Sequence, residues 1–162
     1  VDGNTLIVGG VFTTINAIAQ KFLAKIKLSD LTVDATFTPN LNSTVLKILL
    51  KNSELITSGN FTTVGGVATR KYLVSLDKTT GTHRSTIDTG LASPSLNMVA
   101  HNNDLYFIAP GATAVRKFSI ANPLVEDMSF SIVGKNFNAL TVGSSGVFVG
   151  SSSSGLAVEV SG

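Results

Sequence analysis

LIVGGVFTT occupies residues 6–14 and LITSGNFTT occupies residues 55–63. Leu6 aligns with Leu55, Gly10 with Gly59, Phe12 with Phe61 and Thr13–Thr14 with Thr62–Thr63, at an offset of 49 residues. Self-similarity at a fixed period of about 20–50 residues marks an array of small supersecondary units, each too small to bury its own apolar face. The fold therefore turns on what one unit is.

Two looser copies follow, LYFIA at 105–109 and VFVGS at 147–151. The last three copies are each preceded by an apolar run that ends in turn formers: VLKILLKNSE (45–54), LNMVAHNND (96–104) and FNALTVGSSG (137–146). Asn52–Ser53, Asn102–Asn103 and Ser144–Ser145–Gly146 between apolar runs predict hairpins. A third run follows every copy: FLAKIKL (22–28), YLVSL (72–76), VRKFSI (115–120) and LAVEV (156–160). A fourth run follows in the first three units, as DATF (34–37), HRSTI (83–87) and DMSF (127–130). Four short strands joined by turns, in about 45 residues, make the blade of a β-propeller.

The expected fold is thus all-β. It is a β-propeller segment of about four repeats, each of up to four antiparallel strands, over units of about 1–41, 42–92, 93–134 and 135–162. The first unit begins at its second strand and the last stops after its third, so the two ends do not complete one blade. This predicts one segment, 1–162, of a larger propeller of about 5–8 blades, in preference to a closed ring of four.

Composition agrees with covered sheets. Hydrophobic residues make up 43% and charged residues 14%, against about 25% charged in an average soluble domain. No apolar run reaches the roughly 18 residues that span a bilayer as a helix, which predicts no membrane insertion. The 12 Lys and Arg residues are scattered and the net charge is +2, so there is no nucleic-acid footprint. Without cysteine, disulfide frameworks and thiolate metal sites are excluded. No leader-like stretch opens the chain at Val1, which fits an intracellular protein or a processed piece of a longer one.

The motif residues are weighed first as structure. Gly10 and Gly59 end a strand before Phe12 and Phe61, where glycine suits a bulge or a positive φ that seats the ring in the core. Thr13 and Thr62 open pairs that satisfy backbone groups in the next loop; the functional alternative is a rim of equivalent hydroxyls. Asp34 and Asp127 stand two residues before Thr36 and Ser129, where Asx turns form ahead of Phe37 and Phe130. A calcium loop would need more oxygen ligands at short spacing. His83 and His101 lack a partner at metal-ligand spacing. Arg70 and Arg116 each precede a lysine at the start of a third run, as rim or surface charges. Asn42–Ser43–Thr44 and Asn60–Phe61–Thr62 fit the glycosylation sequon. No pair of acids stands out for glycoside hydrolysis, and there is no GxSxG. The residues name no catalytic group, metal or cofactor.

The string ITSGNFTTVGGVATRKYLVSLD (56–77), with DATFTPNLNSTVLKIL (34–49), resembles the delta-sixty repeat propellers of bacterial exported and surface proteins. Gly59, Asn60, Phe61, Thr62, Thr63, Gly65, Gly66 and Arg70 match one part of that unit; Asp34, Thr36, Phe37 and Pro39 match its close. The match is good over 4–82 and decays beyond, where APGATAV (109–115) and GSSSSG (150–155) replace the motif. Kelch repeats are the rival, but those units expect a tryptophan and the chain has none. The resemblance implies an extracellular or cell-surface, non-enzymatic propeller. Its partner would be a protein or glycan held by rim loops, or another copy of itself. A part of a glycoside-active propeller enzyme and a virion tail or fibre component are the alternatives.

Overall fold

The computed structural model describes residues 1–68, 71–84, 91–95, 97–108, 114–120, 125–130, 132–133, 136–152 and 158–160. All regular structure among them is β, in small open antiparallel sheets with no helix. The chain divides into two compact units, Val1–Pro94 and Ser95–Gly162.

In the first unit β1 (Thr5–Gly9) pairs with β4 (Leu23–Lys27), and a small hairpin, β2 (Thr14–Ile15) and β3 (Ile18–Ala19), stands between them in the chain. An Ile26–Val33 bridge adds the returning chain to this sheet. Next comes a meander of β5 (Val45–Lys51), β6 (Glu54–Gly59) and β7 (Leu73–Asp77), with β6 in the middle. Asn52 turns the β5–β6 hairpin at φ 56°, a left-handed conformation that asparagine tolerates.

Strand alternation sorts the side chains of β6 onto two faces. Leu55 and Thr57 face one way, opposite Leu50 and Ile48 on β5 and Leu76 and Val74 on β7. That face packs with Ile7 and Leu23 of the first sheet, and Phe37, Leu41 and Phe61 close the same core. Burying Phe37 and Phe61 completely contributes about 1.5–3 kcal/mol each. The opposite face, with Ile56, Ser58 and Ser75, is buried as well.

In the second unit β8 (Asn97–His101), β9 (Asp104–Ile108) and β10 (Ala114–Ser119) form a meander. β11 (Val125–Glu126) and β12 (Ile132–Val133) both lie along β10. β13 (Phe137–Val142), β14 (Val147–Ser151) and β15 (Val158–Val160) make a second meander. Tyr106, Ile108, Val115, Val147 and Val149 form the core of this unit.

The runs expected as first, second and third strands are strands wherever they are described. The fourth run differs. DATF and DMSF are turns, and the pairing residues lie just before them, at Val33 and at Val125–Glu126. The Asp34 carboxylate accepts from Thr36 N–H at 3.1 Å, and that of Asp127 from Ser129 N–H at 3.0 Å. These Asx turns bend the chain off the ladder. In HRSTI, His83 bridges Leu76; residues 85–87 lie outside the described residues.

Candidate functional site

The frame shared by the first two sheets is an irregular bulge. Gly10 N–H donates to the Phe22 carbonyl at 2.9 Å and Phe22 N–H donates to that of Phe12 at 3.0 Å. Gly59 and Tyr72 repeat this: Gly59 N–H donates to the Tyr72 carbonyl, and Tyr72 N–H to that of Phe61, both at 3.0 Å. Three residues, Gly-x-Phe, thus oppose one aromatic residue, which bends the strand away. The aromatic residue carries the strain. Phe22 and Tyr72 have φ of 63° and 65°, and each centres a three-residue turn closed by Leu23 N–H to Lys21 C=O at 2.7 Å, or Leu73 N–H to Lys71 C=O at 2.8 Å. A γ-turn with positive central φ is rare and strained, and persists only where its surroundings enforce it. In the third sheet this ladder position belongs to Ala114, which pairs with Val133 in plain strand.

Beyond each bulge comes a two-residue turn with both φ positive. Asn16–Ala17 has φ of 50° and 63°, and Gly65–Gly66 has 58° and 80°. This is the I′ geometry that matches strand twist, and glycine adopts it at no steric cost. The Thr pairs do different work in the two copies. Thr13 accepts from Gln20 N–H through its carbonyl at 3.2 Å. Thr62 and Thr63 donate their N–H groups to the Asn42 carboxamide oxygen at 2.9 and 3.0 Å, while Asn42 Nδ2 donates to the Thr62 hydroxyl at 3.0 Å. One asparagine ties the connection between the sheets to the motif loop.

A cleft of about 400 Å³ opens beside the first strained turn, lined by Ala19, Gln20, Lys21 and by Thr38, Pro39, Asn40, Leu41. The Thr38–Leu41 wall is fixed by backbone bonds. Thr38 N–H donates to the Thr80 carbonyl at 2.8 Å and Gly65 N–H to the Asn40 carbonyl at 3.1 Å. Gly81, at φ 77°, fits under Pro39 so closely that a Cβ would stand 2.9 Å from the proline nitrogen. Gln20 donates through Nε2 to the Leu23 carbonyl at 2.9 Å. Pro39 and Leu41 are buried, whereas Lys21, Thr38 and Asn40 are exposed.

The described carboxylates are engaged elsewhere. In the second sheet Arg84 donates to Asp77 Oδ2 and, at 3.2 Å, to Glu54 Oε1, whose carboxylate also takes the Ser75 hydroxyl. Partial burial works to raise the Asp77 pKa, but bonds from Arg84 and from Thr80 and Thr79 N–H outweigh it and hold the group at about 2. In the third sheet Lys117 lies 3.1 Å from Asp104 and 3.5 Å from Asp127. Arg116 pairs with Glu126 and lies over the rings of Phe107 and Phe118. Lys78, just after β7, pairs with Asp2 at 2.9 Å, and buried Lys25 of β4 donates to the Lys78 carbonyl at 3.3 Å. Asp30 and Asp34 hold Thr32 and Thr36, and the latter bond keeps Asp34 below its ordinary value.

The two clusters occupy corresponding positions with the charges exchanged. Asp34 N–H bonds Lys25 C=O, Arg84 N–H bonds Ser75 C=O and Asp127 N–H bonds Lys117 C=O. Arg84 therefore stands where the other two units carry aspartate.

The sequence-derived residues divide accordingly. Phe61 and Phe37 are fully buried. Phe12 is half-buried, and so is Phe130, which packs edge-on against Tyr106. Gly10 and Gly59 are at the bulge as expected, but neither has a left-handed φ. Gly59 is needed for closeness instead: a Cβ there would sit 2.1 Å from the Thr44 carbonyl oxygen. At Gly10 it would meet only the Phe12 ring, at 3.5 Å. Arg70 lies outside the described residues. The cleft, Asn42 and the strained turns were not anticipated, although Lys21–Phe22–Leu23 recurs as Lys71–Tyr72–Leu73 and is a readable signal.

No family model and no curated protein matches the chain. Among solved structures, the crystal structure of the computationally designed Ika4 protein is similar over 98% of this chain and 85% of its own, with a TM-score of 0.63 and 12% identity. The crystal structure of the computationally designed Ika8 protein is similar over 91% of this chain, with a TM-score of 0.58 and 12% identity. The chain spans 40% of the Ika8 chain's length. At such identities the likeness is one of fold alone.

Proposed function

We propose that this chain is a segment of a β-propeller of the delta-sixty repeat kind, acting as a non-enzymatic binding or structural module of a bacterial surface, secreted or appendage protein. One observation carries the reading: the Gly-x-Phe bulge and the strained aromatic turn recur bond for bond in two successive antiparallel sheets, each followed by an I′ turn. Repetition at that level spends sequence on packing one unit like the next, and leaves the loops at the strand ends to meet a partner. The carboxylates support the same reading. Glycoside hydrolysis asks for two that face one substrate, whereas the described ones are held in Asx turns and ion pairs.

The test is an array of bacterial-surface polysaccharides and proteins exposed to the chain, with reducing-sugar release followed in parallel. Retention of the chain without release is expected. Release of reducing ends that is lost in a carboxylate variant would overturn the non-enzymatic assignment.

A further inference from the structure

We propose that the cleft between Ala19–Lys21 and Thr38–Leu41 binds a hexuronate unit of an acidic saccharide, with Lys21 as the counter-charge; this rests on the binding-module reading above.

The charge inventory selects an anion. Asp2, Asp30, Asp34, Glu54, Asp77, Asp104, Glu126 and Asp127 each have a partner within the protein. Arg84, Lys117 and Lys78 are consumed by them. Lys21, like Lys27, Lys47, Lys51 and Lys71, has no ion pair among the described residues, and of these it is the one that lines the cleft. The carbonyl of Lys21 closes the strained turn at Phe22, so the backbone that launches the side chain is fixed. A concave site that holds an unneutralised cation is the combination that points to an anionic ligand.

The rest of the lining selects a sugar acid over a simple anion. Buried Pro39 and Leu41, with Ala19, supply an apolar floor on which the C–H face of a pyranose can rest. The Thr38 hydroxyl and the Asn40 carboxamide make no hydrogen bond among the described residues, and Gln20 spends only its Nε2 on Leu23. These groups present donors and acceptors to hydroxyls. A single ammonium balances one carboxylate, whereas a phosphate dianion calls for more than one cation or a cluster of N–H groups.

The experiment is a ¹⁵N NMR titration of the chain with digalacturonate and, separately, with a neutral disaccharide of the same linkage. Saturable shifts at residues 19–21, 38, 40 and 41 with the uronate alone are expected. Lys21→Gln, at an exposed position, should weaken binding by roughly five- to tenfold, the value of one charge-assisted contact. Lys71→Gln removes the same charge at the matching turn outside the cleft, and should change affinity by less than about twofold. Asn40→Gly keeps the φ of 48° available and removes only the carboxamide; it should weaken binding without altering the fold. Equal losses from Lys21→Gln and Lys71→Gln, or equal affinity for the neutral sugar, would overturn the proposal. Absence of uronate binding, in a chain that the array shows to hold another partner, would overturn it while leaving the module reading intact.

Discussion

At the scale of single residues, repeat position and physical need separate. Gly10 and Gly59 are the same letter in the same motif, yet only Gly59 lies against a neighbouring backbone, because β5 runs beside it. Gly59→Ala should destabilise the protein by more than about 2 kcal/mol through overpacking. Gly10→Ala should stay within about 0.5 kcal/mol. Chemical denaturation of the two variants checks the contrast. Ala17 holds φ 63° where the second copy has Gly66. Ala17→Gly should therefore raise stability by about 1 kcal/mol, since the left-handed conformation costs alanine what it does not cost glycine. Thr57 is fully buried between Ile48 and Val74, and its hydroxyl has no hydrogen-bond partner among the described residues. Thr57→Val keeps the shape and removes an unpaired polar atom, so thermal unfolding should show a gain of about 1 kcal/mol.

At the scale of elements, side-chain bonds decide where strands stop and how loops are held. Asn42→Ala would release Thr62 and Thr63 N–H together and should cost about 1–2 kcal/mol, measured by urea unfolding. The Arg84 cluster gives the second sheet an acid-sensitive edge. The Asp77 pKa is lowered in the folded state, from 3.8 to about 2. Its stabilisation is thus complete above the ordinary carboxylate range and is lost as pH falls through that range toward 2. Melting temperature should drop across this window, and Arg84→Gln should both lower it at neutral pH and flatten the acid slope. Arg84→Gln also leaves the buried Glu54 short of its cation, which adds to the loss at neutral pH. Much of this scale was legible. Asn52–Ser53, Asn102–Asn103 and Ser144–Ser145–Gly146 between apolar runs located three hairpins, because local turn chemistry fixes register. The Asp–x–Thr–Phe frame was legible as a turn and misread as a strand, since apolar Phe37 reaches the core from the turn itself. The cleft was not legible, because it joins Ala19–Lys21 to Thr38–Leu41, two segments far apart in sequence that no local pattern links. Nor was Arg84, whose place in the repeat is defined by its bond to Ser75 and not by its letter.

At the scale of the whole molecule, the middle strands are the anchors. β6 is buried along its whole length and paired on both sides, and β9 is paired on both sides with its last four residues buried. Amide exchange should be slowest in β6 and β9, and faster in β1, which has one ladder partner and is only part-buried. A chain of near-copies also faces a hazard in reaching this state, since a strand from one unit resembles what the next unit expects, and repeats can misassemble. The exchanged charges bear on that hazard. Arg84 completes the second sheet by meeting Asp77 and Glu54, and Asp127 completes the third by meeting Lys117. If the Asp127 segment docked beside β7 in place of Arg84, three carboxylates would gather with no cation, and its own Lys117 would be left behind. The divergence that obscures the repeat in the sequence thus acts as an address for the second sheet, whose acidic edge matches the Arg84 segment and repels an aspartate-bearing sibling.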